Sequence, residues 1–220
     1  MRKLVVSAFM TLDGVVQAPG GPEEDISGGF AHGGWTVPYW DDVMGKAMDA
    51  ASAETVDLLL GRRTYEIFAA HWPHSDEEPM ASKLNGAVKH VASRTLKRLD
   101  WHNSCLIKGD VGESVARLKQ EDGHRLFVYG SADLVQTLLT AGLVDEFLLW
   151  TFPVVLGSGK RLFAQGTMPA ALELTASQVS TTGVVIGTYR VAGPVRTGSF
   201  ALEEPTEAEV ARRAAMAGDA

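Results

Sequence analysis

Only one cysteine, Cys105, occurs in the 220 residues, so no intrachain disulfide can form and nothing in the chain calls for an oxidising compartment. A lone thiol of this kind reads as a small, partly buried apolar group. A block of Lys and Arg is also missing, and the formal net charge is -7. A general nucleic-acid surface needs a basic stripe and is thereby excluded. No stretch approaches the roughly 20 apolar residues of a membrane-spanning helix. Met1 to Met10 carries two basic residues ahead of apolar ones, but it runs into Thr11-Leu12-Asp13-Gly14 without a small-residue cleavage signal. It reads as a first strand and not as a signal peptide. A cytoplasmic protein is expected, acting on a small molecule and not on nucleic acid or a membrane.

Complete chemical fingerprints are scarce too. Leu156-Gly157-Ser158-Gly159-Lys160-Arg161 resembles the end of a phosphate-binding P-loop, but Val154 stands at the position of its first glycine and Arg161 at that of its Ser or Thr. The third glycine and the following helix of a dinucleotide fingerprint are absent from the same stretch. No Gly-x-Ser-x-Gly elbow exists, and Ser7, Ser93 and Ser131 have no identifiable base partner. His71 and His74 flank Pro73 with Asp76 nearby, which reads as a polar loop, so no metal is expected.

What is present is a hydrophobic fraction of 45%, enough for one well-buried core in a chain of this length. Apolar runs predict strands over Lys3 to Phe9, Thr55 to Leu60, Val88 to Ala92, Ser104 to Ile107, Arg125 to Tyr129 and Val144 to Phe152. Several are continuous, as in strands covered on both faces. Asp110-Val111-Gly112-Glu113 resembles a capping box, after which Val111, Val115 and Leu118 form one helical face. A helix should follow Ser131, with Leu134, Val135, Leu138 and Leu139 inward and Gly142 at its end, and another should span Asp41 to Ala53. Leu172 to Ser180 and Val184 to Val191 flank Thr181-Thr182-Gly183 as a hairpin would. The expected fold is α/β: a three-layer α/β/α arrangement on a mostly parallel mixed sheet with an antiparallel C-terminal hairpin. One domain should cover residues 1–192, followed by an extension over 193–220 whose Glu203 to Ala220 is a polar, Ala-rich helix or a frayed end.

Two junctions carry the chemistry. Leu58-Leu59-Leu60-Gly61-Arg62-Arg63-Thr64-Tyr65 breaks from strand at a glycine and enters a helix through two arginines and a threonine. About seventy residues on, Leu126-Phe127-Val128-Tyr129-Gly130-Ser131-Ala132 does the same. Helix N-termini offer unpaired N–H groups and partial positive charge, so Gly61 and Gly130 would admit a phosphate while Thr64 and Ser131 add hydroxyls. Arg62 supplies a planar fork for phosphate oxygens, and Ser93-Arg94 after another strand supplies a second hydroxyl and guanidinium. Two arginines at strand ends suit the 2′-phosphate of NADP; helix capping and solvated arginines are the plainer alternative.

Candidate acids are Asp13, at the end of the first strand, and Asp41 and Asp42, which sit where a helix cap is expected. Gln17 to Gly34 holds six glycines and two prolines, too mobile a composition for core structure and longer than most connections. Trp35, Tyr39 and Trp40 follow it, and Trp35 and Trp40 would wall a pocket for a flat substrate or else pack in the core.

Taken in order, Thr11-Leu12-Asp13-Gly14, Leu60 to Tyr65, Val128 to Ala132, Leu143-Val144-Asp145-Glu146 and Pro153 to Gly159 resemble the dihydrofolate-reductase-like superfamily. They are most similar to stand-alone forms of the C-terminal reductase domain of the bifunctional riboflavin-biosynthesis enzyme. The resemblance runs from Lys3 to Val191 and implies a homodimer with NADPH lying across the carboxyl ends of the strands. It implies adenosine-phosphate contacts at Arg62, Thr64, Ser93 and Arg94, and pyrophosphate contacts at Gly130, Ser131 and Ala132. Gly157 and Ser158 would lie near cofactor or substrate, Asp13 near the nicotinamide, and the Gln17 to Gly34 loop would close over it. The expected activity is NADPH-dependent hydride transfer to a C=N or C=O bond of a small polar substrate, a class that includes pterin- and pyrimidine-like heterocycles. A nucleotide-binding dimeric module without turnover fits the same residues. Asp145 to Phe152 and the aromatic-lined loop are the expected pairing surface.

Overall fold

The first strand, β1 (Leu4–Thr11), shows why the apolar runs are continuous. Leu4, Val6 and Ala8 enter one core cluster and Val5 enters another, so alternate residues are buried on opposite faces. A computed structural model describes residues 1–218. Around β1 it sets β2 (Val56–Gly61), β3 (Lys89–Ala92), β4 (Ser104–Ile107), β5 (Arg125–Tyr129), β6 (Glu146–Phe152), β7 (Ala171–Val179) and β8 (Val185–Gly193). They form one eight-stranded sheet in the order β4-β3-β2-β5-β1-β6-β8-β7. From β4 to β6 all pairs are parallel, while β8 is antiparallel to both β6 and β7. The expected mixed sheet with its C-terminal hairpin is therefore the observed one.

Helix α1 (Asp42–Ser52) lies between β1 and β2, α2 (Arg62–His71) and α3 (Met80–Gly86) between β2 and β3, α4 (Val111–Gln120) between β4 and β5, and α5 (Ala132–Thr140) between β5 and β6. Val115, Leu134, Val135 and Leu138 pack with Leu4, Val6 and Leu126 on one face of the sheet. Tyr65 and Leu84 pack with Val5, Leu58 and Phe127 on the other. This makes the three layers. α2 begins at Arg62, with Gly61 as its N-cap. The polar reading of the segment after His71 misses α3, whose buried Ala81 and Leu84 are three residues apart on one face.

The opposite, N-terminal edge of the sheet is tied by a buried ion pair between Arg2 and Asp57. The Arg2 Nε also donates to the His124 carbonyl at 2.5 Å, and His124 Nδ1 lies 3.3 Å from the second Asp57 oxygen. Beyond them, His90 Nδ1 is 3.2 Å from the Cys105 thiol.

β6 lies between β1 and β8, so Asp145 to Phe152 is an interior strand with a backbone partner on each side. The edge strands are β4 and β7, and on β7 Leu172, Leu174 and Val179 are exposed. After β8 the chain runs without regular structure to α6 (Glu207–Gly218). No helix among the described residues is long and apolar enough to cross a membrane.

Candidate functional site

Five parallel strands end at the same edge of the sheet, and residues from each of those ends line one cleft: Phe9, Gly61, Ala92, Ile107 and Tyr129. Its volume, about 1660 Å³, exceeds the ~300–1,000 Å³ of a pocket for a single drug-sized ligand, so two ligands fit side by side.

At the centre the two glycine junctions lock together. The Gly61 amide donates to Ser131 Oγ at 3.0 Å, the Ser131 amide donates to Thr64 Oγ1 at 3.2 Å, and the Ser131 hydroxyl donates to the same Thr64 oxygen at 3.0 Å. Because Thr64 Oγ1 accepts both bonds, its own proton remains for a ligand oxygen. Gly130 and Ser131 are consecutive left-handed residues, with φ of 52° and 55°. A non-glycine residue held there costs about 1–2 kcal/mol, a sign that the turn is imposed by the lock. Gly61 has an ordinary φ of -72° and is needed for space instead: an added Cβ would sit 3.4 Å from Ser131 Oγ.

Capping separates these helices from their neighbours. Asp41 caps α1 by accepting from the Met44 amide, and Asp110 caps α4 by accepting from the Glu113 amide, each at 2.9 Å. Neither α2 nor α5 has a side-chain cap, so their first-turn N–H groups are left for an anion.

Guanidinium groups flank this pair of helix ends. Arg62 lines the cleft and holds Glu66 at 2.9 Å on the exposed surface of α2, a weak pair that a phosphate can replace. Arg94 is exposed on the cleft wall, with no ion pair among the described residues. Ser93 Oγ accepts from the Thr95 and Leu96 amides at 3.2 and 3.0 Å, which shapes the turn that carries Arg94. Gly61, Arg62, Thr64, Ser93, Arg94, Gly130, Ser131 and Ala132 thus come together in one place.

The other sequence candidates do not join them. Trp35 is buried in the core, its indole N–H donating to the Gln17 carbonyl at 2.8 Å, whereas Trp40 lines the cleft. Asp13 accepts from Thr11 Oγ1 at 2.6 Å and from the Gly157 amide at 2.8 Å, outside the cleft. The Thr11 hydrogen bond, with the backbone amides of Leu156 and Gly157, holds its carboxyl below the usual range, so Asp13 is a fixed carboxylate and a poor proton donor. Gly157 and Ser158 are exposed in the segment Asp13 anchors, away from the cleft; of that stretch only Lys160 reaches it. Asp41 is occupied by its cap and by the Thr181 amide and hydroxyl, at 2.7 and 2.6 Å, and Asp42 faces a separate shallow surface. Among the described residues no group of His, Cys, Asp and Glu comes together as a metal site.

Sequence reasoning missed Glu24, Arg63 and Lys160. The long loop is ordered by contacts its composition does not advertise. The Gln17 amide donates to the carbonyls of Asp25 and Ser27, both at 2.9 Å, Lys160 pairs with Asp25, and Arg63 reaches Ser27 and Asp25. Phe30 and Ala18 are buried, so the expectation of a segment too mobile for core structure is corrected. Glu24 lines the cleft and accepts from the Gly20 amide at 2.6 Å; burial raises its carboxyl above the ordinary value. Only its position inside a glycine-rich loop marked it in the sequence.

The family model described as the RibD C-terminal domain matches residues 2–186. An uncharacterised Bacillus subtilis protein, YyaP, is 28% identical over 188 residues, covering 84% of this chain and 92% of the relative. A candidate riboflavin biosynthesis protein from Shewanella superposes with a TM-score of 0.59 at 19% identity, over 86% of this chain and 99% of that one. Dihydrofolate reductase from Enterococcus faecalis, solved in complex with NADP(H) and RAB-propyl, gives 0.54 at 14% identity, over 86% and 96%. These structures share the fold.

Proposed function

Because the chain belongs to the RibD C-terminal domain family, we propose that it is an NADPH-dependent reductase acting on a C=N or C=O bond of a small molecule in the cytoplasm. The observation that carries this reading is the interlocked pair of uncapped helix N-termini with Arg62 and Arg94 beside them. The first-turn amides of α5, with Ser131 and Ala132, would hold the pyrophosphate; Thr64, Arg62, Ser93 and Arg94 would hold the adenosine phosphate. The bound dinucleotide supplies the hydride, and the protein supplies position and a proton.

Replacing Arg62 with Ala tests the phosphate assignment. A charge-assisted hydrogen bond contributes about 1.5–3 kcal/mol, so preference for NADPH over NADH should fall tenfold or more in a fluorescence titration. Equal, weak responses of the unaltered protein to both nucleotides would remove the reading altogether.

Glu24 is the better proton source than Asp13, Asp41 or Asp42, since it lines the cleft and its raised pKa keeps more of it protonated. As pH rises through that pKa the acid form is lost and turnover should decline. Glu24→Gln should lower turnover about a hundredfold and flatten this alkaline decline. A variant profile that still falls in parallel with the original would assign the proton elsewhere.

The uncovered β7–β8 ribbon, with Leu172, Leu174, Val179 and Val185 exposed, supports a homodimer through that edge. Sedimentation should report a dimer at micromolar concentration and a monomer for Leu174→Arg.

A further inference from the structure

The cleft has two chemically different halves, and the half away from the phosphate-type residues is apolar. It lies between α1 and the α2–α3 pair, walled by Phe9, Trp40, Met48, Phe68, Trp72 and Leu84. Trp40 is 45% exposed and lies parallel to Trp150, with centroids 6.3 Å apart, as a flat platform. Tyr129, the last residue of β5, packs its ring 6.2 Å from Phe68 and 5.8 Å from Phe127, and its hydroxyl makes no hydrogen bond among the described residues. His71 and Glu77, 3.5 Å apart and both more than half exposed, pair with each other and with water at the rim, and Glu24 faces the same cleft from the loop.

We propose that this half binds a flat, weakly polar ring compound carrying a carbonyl oxygen, and that the Tyr129 hydroxyl donates a hydrogen bond to that oxygen. The proposal deepens the reading above, since it takes the other half of the same cleft as the nucleotide's. An aminopyrimidine or pterin ring presents several N–H donors, and the helix side of this half, Met48, Phe68, Trp72 and Leu84, offers them no acceptor. An aromatic ketone needs only apolar faces and one donor. Burial pushes the Tyr129 phenol up to about 12, so at neutral pH it is protonated and able to donate.

The test uses the full-length protein with 2-acetylnaphthalene, naphthalene and 2,4-diaminopyrimidine as probes, read by quenching of tryptophan fluorescence. The expected order is 2-acetylnaphthalene at least tenfold tighter than the diaminopyrimidine. Tyr129→Phe should weaken 2-acetylnaphthalene about fivefold and leave naphthalene unchanged, the loss of one hydrogen bond. Trp40→Ala should weaken both ring compounds. Tighter binding of the diaminopyrimidine, or a Tyr129→Phe variant of unchanged thermal midpoint that binds both naphthalenes as before, overturns the proposal. NADPH is titrated separately: selective NADPH binding without ketone binding defeats this inference alone, and ketone binding without NADPH preference defeats the nucleotide reading alone.

Discussion

Asp57→Ala should cost about 3–5 kcal/mol of stability in chemical denaturation, the effect of leaving a buried guanidinium without its partner. The side chains of Arg2 and Asp57 are 5% and 11% exposed, so water cannot replace the lost carboxylate. His124 adds to the loss, its Nδ1 lying 3.3 Å from an Asp57 oxygen. The penalty belongs to the orphaned charge and not to the absence of attraction. Pairing Asp57→Leu with Arg2→Met should therefore recover most of it. A loss below about 1 kcal/mol in the single variant would show that Arg2 swings out to solvent. Asp57 lies near the start of β2 and Gly61 at its end, so nucleotide affinity of the folded fraction should not change.

Gly33→Ala should act on the cleft and on stability together. An added Cβ would fall 2.3 Å from the Gly21 carbonyl oxygen and 2.8 Å from Pro22 Cα. Both are backbone atoms, so relief requires the loop to part from itself, at a cost of about 3 kcal/mol or a fall of roughly 6–12 °C in the thermal midpoint. Parting moves Gly21 and Pro22, which line the cleft beside Glu24 and Asp25, and nucleotide affinity and turnover should both fall. Gly21→Ala is the matched control: no atom lies within 4 Å of its Cβ position, and its stability should stay within about 0.5 kcal/mol. Equal effects from the two variants would show that glycine flexibility, and not the close approach, is what matters.

The strands were legible because burial on both faces leaves unbroken apolar runs, and each of the eight expected strands is present within two residues of its expected ends. Asp110 and Gly142 marked the ends of α4 and α5 for the same reason, a chemical need expressed locally. α3 was hidden because its signal is two buried residues, Ala81 and Leu84, in a polar surround. The phosphate-type residues could be chosen from local strand–glycine–helix grammar, and they do converge. Asp13, Gly157 and Ser158 were drawn in by the family resemblance, and Asp13 serves as a carboxylate that anchors the loop at Gly157. Trp35 and Trp40 were indistinguishable by type, since which ring faces the core depends on Phe152 and Gln17, far away in sequence or across the loop. Glu24, Lys160 and Tyr129 became visible only once long-range packing placed them.

The lock between Thr64, Ser131 and Gly61 has a bearing on folding order. Its two halves lie about seventy residues apart and meet only after β2 and β5 have paired, a non-local closure that carries a large entropic barrier. The anion-holding geometry thus exists only where this long-range pairing of the sheet is in place. A nucleotide that recognises only this closed geometry binds the folded chain and not the unfolded one, and so stabilises it by mass action.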